Sequence, residues 1–318
     1  MNRYDIFNGD ADGICAVHQW RLSHPASAVL ITGVKRDIQL LSRVSAMAGD
    51  DVTVFDISLD SNRADVLRLL QAGVSIRYFD HHFAGDPIEH PRLSTSIVTA
   101  PDTCSSLLVD AALGGRHRAW AVVAAFGDNL HESARNAAAP LDLPEAALAD
   151  LAELGELINY NAYGDSEADL HFAPAELYRA MAPFADPHAF IVEAPAFTRL
   201  RRGFAEDFAH ADSVAPCLGS ATAAAWLLPD AAWSRRVVGV FSNRLANQFP
   251  DRAHAVMVPN ASATLTVSVR SPKTRRIDAD ALCRQFPSGG GRKGAAGINH
   301  LPPDGMDAFL AAFSAHFA

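Results

Sequence analysis

Residues 4–13 read Tyr4-Asp5-Ile6-Phe7-Asn8-Gly9-Asp10-Ala11-Asp12-Gly13. The apolar and aromatic residues of 4–7 predict a short strand, and residues 13–21 predict a helix directly after it. Two carboxylates, Asp10 and Asp12, fall in the turn between them. The same alternation recurs outward from this unit. Strands are predicted at 28–31, 52–57 and 75–79, and helices at 37–47 and 62–72. In the last helix Val66, Leu67, Leu69 and Leu70 make an apolar face. Asp60 or Ser61 is its expected cap and Gly73 its stop. Strand and helix in alternation predict an α/β fold whose N-terminal domain is a parallel sheet with helices on both faces.

Residues 104–163 turn mostly helical, with Ala-rich segments at 119–126 and 145–158. Strands at 223–228, 237–241, 253–258 and 264–269 then predict a smaller C-terminal α/β domain across a cleft. A chain of 318 residues suits two domains. The expected boundaries are 1–185 for the first, 186–213 for a connecting helix or linker, and 214–318 for the second.

Charge is divided along the chain. Residues 214–318 hold 11 Lys/Arg against 6 Asp/Glu, a net of +5, while the residues before them hold 16 against 30, a net of −14. The total of −9 disfavours non-specific binding of long duplex nucleic acid, which needs many cationic contacts to phosphate. No apolar run is long enough for a bilayer, and the first residues lack the apolar core of a signal peptide. Cys15, Cys104, Cys217 and Cys283 are scattered, with no Cys-x-x-Cys pair. A disulfide scaffold and a zinc–thiolate site are therefore not expected, and a cytoplasmic location without membrane partners is.

Asp10, Asp12, Asp56 and Asp80 each fall at or just after the end of a predicted strand, and Asp128 follows an apolar segment in Phe126-Gly127-Asp128-Asn129. His81 and His82 come directly after Asp80. In an open parallel sheet such positions converge at the carboxyl edge. Singly, an aspartate after a strand reads as a helix cap, and a His-His pair as surface or packing. Together they make a concentration of carboxylate that needs cations, and carboxylate with imidazole suits Mn(II) or Mg(II).

With Asn8-Gly9-Asp10-Ala11-Asp12-Gly13, Asp56, Asp80-His81-His82 and Gly127-Asp128, the chain resembles the DHH phosphoesterase superfamily. Ser288-Gly289-Gly290-Gly291-Arg292-Lys293-Gly294 is similar to the glycine-rich signature of the DHH-associated C-terminal domain, and Val267–Ser271 resembles the strand before it. The resemblance implies two divalent ions, Mn(II) foremost. Asp10 would bind the first and Asp12, His81 and Asp128 the second, with Asp56 bridging. His82 would lie against the substrate phosphate, and Asp80 would orient the site from behind. Two positions depart from the pattern. Ile6 stands where many members have a histidine and Asn8 where the exonucleases have an aspartate, leaving Asn8 or water to complete the first site. Arg292 stands where the C-terminal signature usually has histidine.

The implied reaction is attack on phosphorus by a water activated between the ions. Arg270, Gly289, Gly290, Gly291, Arg292 and Lys293 are the expected substrate contacts, with Arg244 a lesser candidate. Lys35 and Arg36 read as surface more than site, Arg275 and Arg276 as a solvated turn, and His18 and the tryptophans as surface or packing. The resemblance points to short linear substrates, RNA ends or dinucleotides such as pGpG. A pAp-type nucleotide phosphatase and a catalytically weak nucleotide sensor are the alternatives. A homodimer is compatible with the sequence.

Overall fold

The computed structural model describes residues 1–275 and 277–318. Arg276 lies outside the described residues, and with it half of the expected solvated turn. The chain divides into two compact units, one of residues 1–162 and 166–202, the other of residues 163–165 and 203–318.

The first unit is built on five parallel strands: β1 (Arg3–Asn8), β2 (Val29–Gly33), β3 (Asp51–Phe55), β4 (Ser75–Asp80) and β5 (Leu93–Ile97), in the order β2-β1-β3-β4-β5. Its helices are α1 (Ala11–Ser23), α2 (Arg63–Gln71), α3 (Ser105–Ala112), α4 (Arg118–Gly127), α5 (His131–Ala138), α6 (Glu145–Asn161), α7 (Pro174–Met181) and α8 (Pro187–Glu193). The period of two along each strand sends alternate side chains to opposite faces. Ile6, Val52, Val54, Ile76 and Tyr78 join Leu40, Leu41, Val66 and Leu69 in one buried cluster. Phe7, Phe55 and Phe79 take the other face, where Phe79 meets Trp20 of α1 at 5.4 Å and Phe7 meets Tyr178 of α7 at 5.8 Å between ring centroids. The expected parallel sheet with helices on both faces is what forms.

Two local expectations fail in this unit. The helix expected at 37–47 shrinks to a 3-10 turn, Leu40–Arg43. The Asn62 side chain accepts from the Leu41 N–H and donates to the Ile38 carbonyl at 2.7 Å, and Arg68 donates to the Leu41 carbonyl. Backbone groups that a helix would pair internally are paired across to another segment. Asn62 thereby also takes the place before α2, and neither Asp60 nor Ser61 caps that helix. Gly73, at φ +84°, does end it. Strand β5 is the one the sequence pattern misses, because Leu-Ser-Thr-Ser-Ile is a half-exposed edge with little apolar signal.

His18 of α1 is 1% exposed, and its Nε2 donates to the Phe184 carbonyl at 2.8 Å. Burial holds its pKa down at about 4. The unfolded chain takes up this proton near the ordinary value of 6.5, so His18 favours the fold above that pH and costs stability progressively as pH falls toward 4. Between pH 7 and pH 5 the loss is about 2 kcal/mol. Urea unfolding of His18→Gln, which keeps a donor, is expected to lose that much less over the same interval. An unchanged pH dependence would contradict the assignment.

Helix α9 (Pro195–Ser213) runs from the first unit into the second. The second unit holds β6 (Leu218–Gly219), β7 (Ala223–Leu227), α10 (Ala232–Gln248), β8 (Ala253–Pro259), β9 (Leu265–Arg270), α11 (Ala279–Cys283), β10 (Gly289–Gly291), β11 (Ala295–Leu301) and α12 (Met306–His316). Its mixed sheet runs β10-β11-β9-β8-β7-β6, with only β7 and β8 parallel. One face packs on Leu282, Phe309, Phe313 and Phe317. The strand expected at 237–241 is helical and belongs to α10. Its valines satisfy the period of two locally, but Ser234, Val237, Val238, Phe241 and Leu245 are buried at helical spacing.

Candidate metal centre

Phe7, Phe55 and Phe79 stand in register across β1, β3 and β4, so the next row at the carboxyl edge is Asn8, Asp56 and Asp80. Asp56 leaves β3 at φ +57°, a left-handed conformation that aspartate tolerates better than most residues. Asp10 is the N-cap of α1, its Oδ1 accepting from the Gly13 N–H, and Asp12 lies in the first turn. Asp10 is therefore the helix cap that the bland reading expects and also a member of the cluster. Asp128 caps the carboxyl end of α4.

His81 gathers the carboxylates. Its Nε2 lies 3.4 Å from Asp56 Oδ1, 3.8 Å from Asp128 Oδ2 and 4.0 Å from Asp12 Oδ2. Asp12, His81 and Asp128 offer donor atoms all within 4.8 Å of one another, and so do Asp56, His81 and His82. Such spacing fits one divalent ion. His82 is half exposed and its Nδ1 sits 2.8 Å from Asp80 Oδ1, a bond that raises the imidazole pKa despite partial burial. Asp80 itself is wholly buried.

Asp12 is held from behind by two backbone donors. The Ser105 and Ser106 N–H groups at the start of α3 each reach one of its oxygens at 2.7 Å, and Ser105 Oγ donates to Asp56 Oδ1 at 3.2 Å. The positive end of α3 thus bears on the buried carboxylates. It does not neutralise them. Burial, then the charges of Asp10, Asp12 and Asp128, push the Asp56 carboxyl well above its ordinary range. Burial likewise raises Asp128 to about 6, against the opposing pull of Lys35. A donor set with this excess of negative charge suits a divalent cation.

Lys35, expected at the surface, stands in the site. Its Nζ is 2.5 Å from Asp10 Oδ2, 2.9 Å from Asn159 Oδ1 and 3.7 Å from Asp128 Oδ1. Burial alone would raise Asp10, and the Lys35 charge together with the hydrogen bonds from Lys35 and the Gly13 N–H outweighs it, leaving the carboxyl below its ordinary value. Asn8, expected as a stand-in ligand, braces the turn instead: its Oδ1 accepts from the Asp10 N–H and its Nδ2 donates to the Lys35 carbonyl. Sequence reading ranks a surface role for Lys35 above the site and misses Asn159, Ser105 and Ser106. A Ser-Ser pair opening an apolar run is a helix-start signal that finds the last two.

In the second unit Arg270 ends β9, its Nε donating to Asn243 Oδ1 at 2.8 Å and its Nη1 to Ser268 Oγ at 3.0 Å. Gly289 and Gly291 form β10, where a Cβ on either would collide with Cys283 O or Ala296 Cα, so packing alone requires both. Gly290 faces open space. Arg292 and Lys293 are exposed, Lys293 within 3.1 Å of Asp278. Arg244 pairs with Asp212 and lies 4.3 Å over the Phe208 ring.

No family model and no curated protein matches this sequence. Among solved structures the chain is similar to the exonuclease RecJ bound to manganese, at 18% identity over 99% of this chain and 89% of that one, TM-score 0.60. It is similar to the DHH domain of a protein assigned to a family of ribosomal proteins, at 14% identity over 99% and 86%, TM-score 0.64. It is also similar to the pGpG-specific phosphodiesterase PggH of Vibrio cholerae, at 13% identity over 99% of both chains, TM-score 0.57. The fold is that of DHH-domain proteins, along the whole chain.

Proposed function

We propose that this chain, on its DHH fold, is a divalent-metal-dependent phosphodiesterase. Its substrates are short linear oligonucleotides, foremost 5′-phosphorylated dinucleotides such as pGpG, cleaved to mononucleotides. The observation that carries the reading is the convergence of Asp12, Asp56, His81 and Asp128 at the carboxyl edge of the sheet. These four would hold the ion, Mn(II) by preference and Mg(II) as the alternative. When bound, such an ion supplies an acidified water and a counter-charge for phosphoryl oxygens.

The chain's own residues do the rest. Ser105 and Ser106 fix Asp12, so the carboxylate keeps its place without relying on solvent. Asp80 accepts from His82 Nδ1 and favours the imidazolium, whose Nε2–H can donate to a phosphoryl or leaving oxygen. Arg270, whose Nε and Nη1 are held by Asn243, Ser268 and the Val269 carbonyl, keeps Nη2 to donate to a phosphate, with Arg292 and Lys293 as further cationic contacts.

Two facts support short substrates. The net charge of −9 disfavours long polyanions, and the fold is shared end to end with a pGpG-specific phosphodiesterase. The test is a matched panel with Mn(II): a 5′-phosphorylated dinucleotide, a longer single-stranded RNA, pAp, cyclic di-GMP and pyrophosphate. Fastest turnover of the dinucleotide is expected; faster turnover of pAp or of the long strand would replace the substrate named here. Arg270→Ala is expected to raise KM for the dinucleotide about tenfold with a smaller change in kcat. An unchanged KM would remove Arg270 from the substrate contacts.

A further inference from the structure

We infer that Lys35 occupies the place of one of the two cations that the family resemblance implies, so that the site takes one divalent ion and uses the lysine ammonium as its second positive charge. The inference rests on reading the carboxylate–histidine cluster as a metal centre, and it alters the composition of that centre.

Apart from Asp56, the expected bridge, the donors expected for the first ion are otherwise engaged or missing. Ile6 is buried in the apolar cluster of the sheet and has no donor atom. The Asn8 oxygen accepts from the Asp10 N–H. Asp10 uses Oδ1 to cap α1 and Oδ2 to bind Lys35. What remains around that carboxylate is an ammonium, with Asn159 as its second acceptor and Asp128 nearby.

Lys35 is also built in by its backbone. Its N–H donates to the Ala162 carbonyl at 2.9 Å, and its carbonyl accepts from Asn8 Nδ2. The second bond explains the amide at position 8. An ionised aspartate there has no N–H to give to a carbonyl. Asn8 and Lys35 therefore act as one exchange: the first gives up a ligand and anchors the residue that brings the charge. An ammonium this close to Asp10 also repels a second divalent ion seeking the same oxygen. It carries charge without acidifying water, so an ion held by Asp12, Asp56, His81 and Asp128 would supply the acidified water, and Lys35 would supply counter-charge beside it.

The test counts ions directly, without reference to turnover. Mn(II) binding is measured by equilibrium dialysis and by the loss of the free-ion EPR signal, on wild type, Lys35→Ala and Lys35→Met. The methionine variant keeps an aliphatic stem should alanine impair folding. The expected result is one tight Mn(II) per wild-type chain and, in the variants, a second ion bound at least about tenfold more tightly than wild type binds any second ion. Two ions of comparable affinity in the wild type would overturn the inference, and so would a variant that still binds only one. Failure of the functional reading looks different: a wild-type protein with its ion bound that turns over no phosphoester.

Discussion

Asp56→Asn is expected to lower turnover by on the order of a thousandfold while making the metal-free protein more stable. Both effects come from one carboxylate. Asp56 is 2% exposed, leaves β3 in a left-handed conformation, and lies 3.4 Å from His81 among four other aspartates, Asp10, Asp12, Asp80 and Asp128. Its burial and their charges drive its pKa far upward, so in the absence of a cation the fold is working against it. Asparagine keeps the shape, adopts the same backbone conformation readily, and removes the repulsion. It also removes the anionic donor that the ion needs. With EDTA present, the melting midpoint of Asp56→Asn should exceed that of wild type by roughly 2–4 °C. With Mn(II) the order should reverse, because only wild type gains from binding. A variant with ordinary turnover, or one that still gains stability from Mn(II) as wild type does, would contradict the role given to Asp56.

Gly155→Val is expected to cost about 3 kcal/mol or more of stability and to weaken metal binding out of proportion to its distance from the metal. Helices α4 and α6 meet backbone to backbone. A Cβ on Gly155 would lie 2.2 Å from the Val123 carbonyl oxygen and 2.8 Å from the Gly127 nitrogen. Helix α4 cannot simply retreat, because a Cβ at Gly127 would already lie 2.3 Å from the Ala11 methyl of α1. Any shift of α4 is felt at once by Asp128, the residue after Gly127. Urea unfolding with and without Mn(II) separates the two effects. A lower midpoint with an unchanged increment from Mn(II) would mean that the packing of α4 does not set the position of Asp128.

Much of the centre is legible in the sequence because a parallel sheet obeys a simple rule. Residues that follow different strands meet at one edge, and Asp10, Asp12, Asp56, Asp80 and His81 do so here. Lys35 is legible only as the lesser of two readings, since a lysine after a strand is ordinarily solvated. Its place depends on the pairing of Asn8 with Gly33, which carries residues 34 and 35 past the end of β1, and on Asn159 arriving from the far end of α6. The errors at 37–47 and 237–241 share a cause. In both segments the local apolar pattern fits more than one element, and distant partners decide between them: Asn62 and Arg68 for the first, the core around Phe241 for the second. The glycines at 289 and 291 suggest a phosphate cradle in the sequence, whereas the close approach of β10 to Cys283 and Ala296 already demands them.

The most direct measurement is turnover of a 5′-phosphorylated dinucleotide by protein stripped with EDTA, dialysed, and then titrated with Mn(II). The predicted result is no detectable cleavage after stripping, and recovery that rises with added ion and saturates when the cluster of Asp12, Asp56, His81 and Asp128 is filled. Cleavage that persists at full rate after chelation would contradict a metal-dependent reaction at this site.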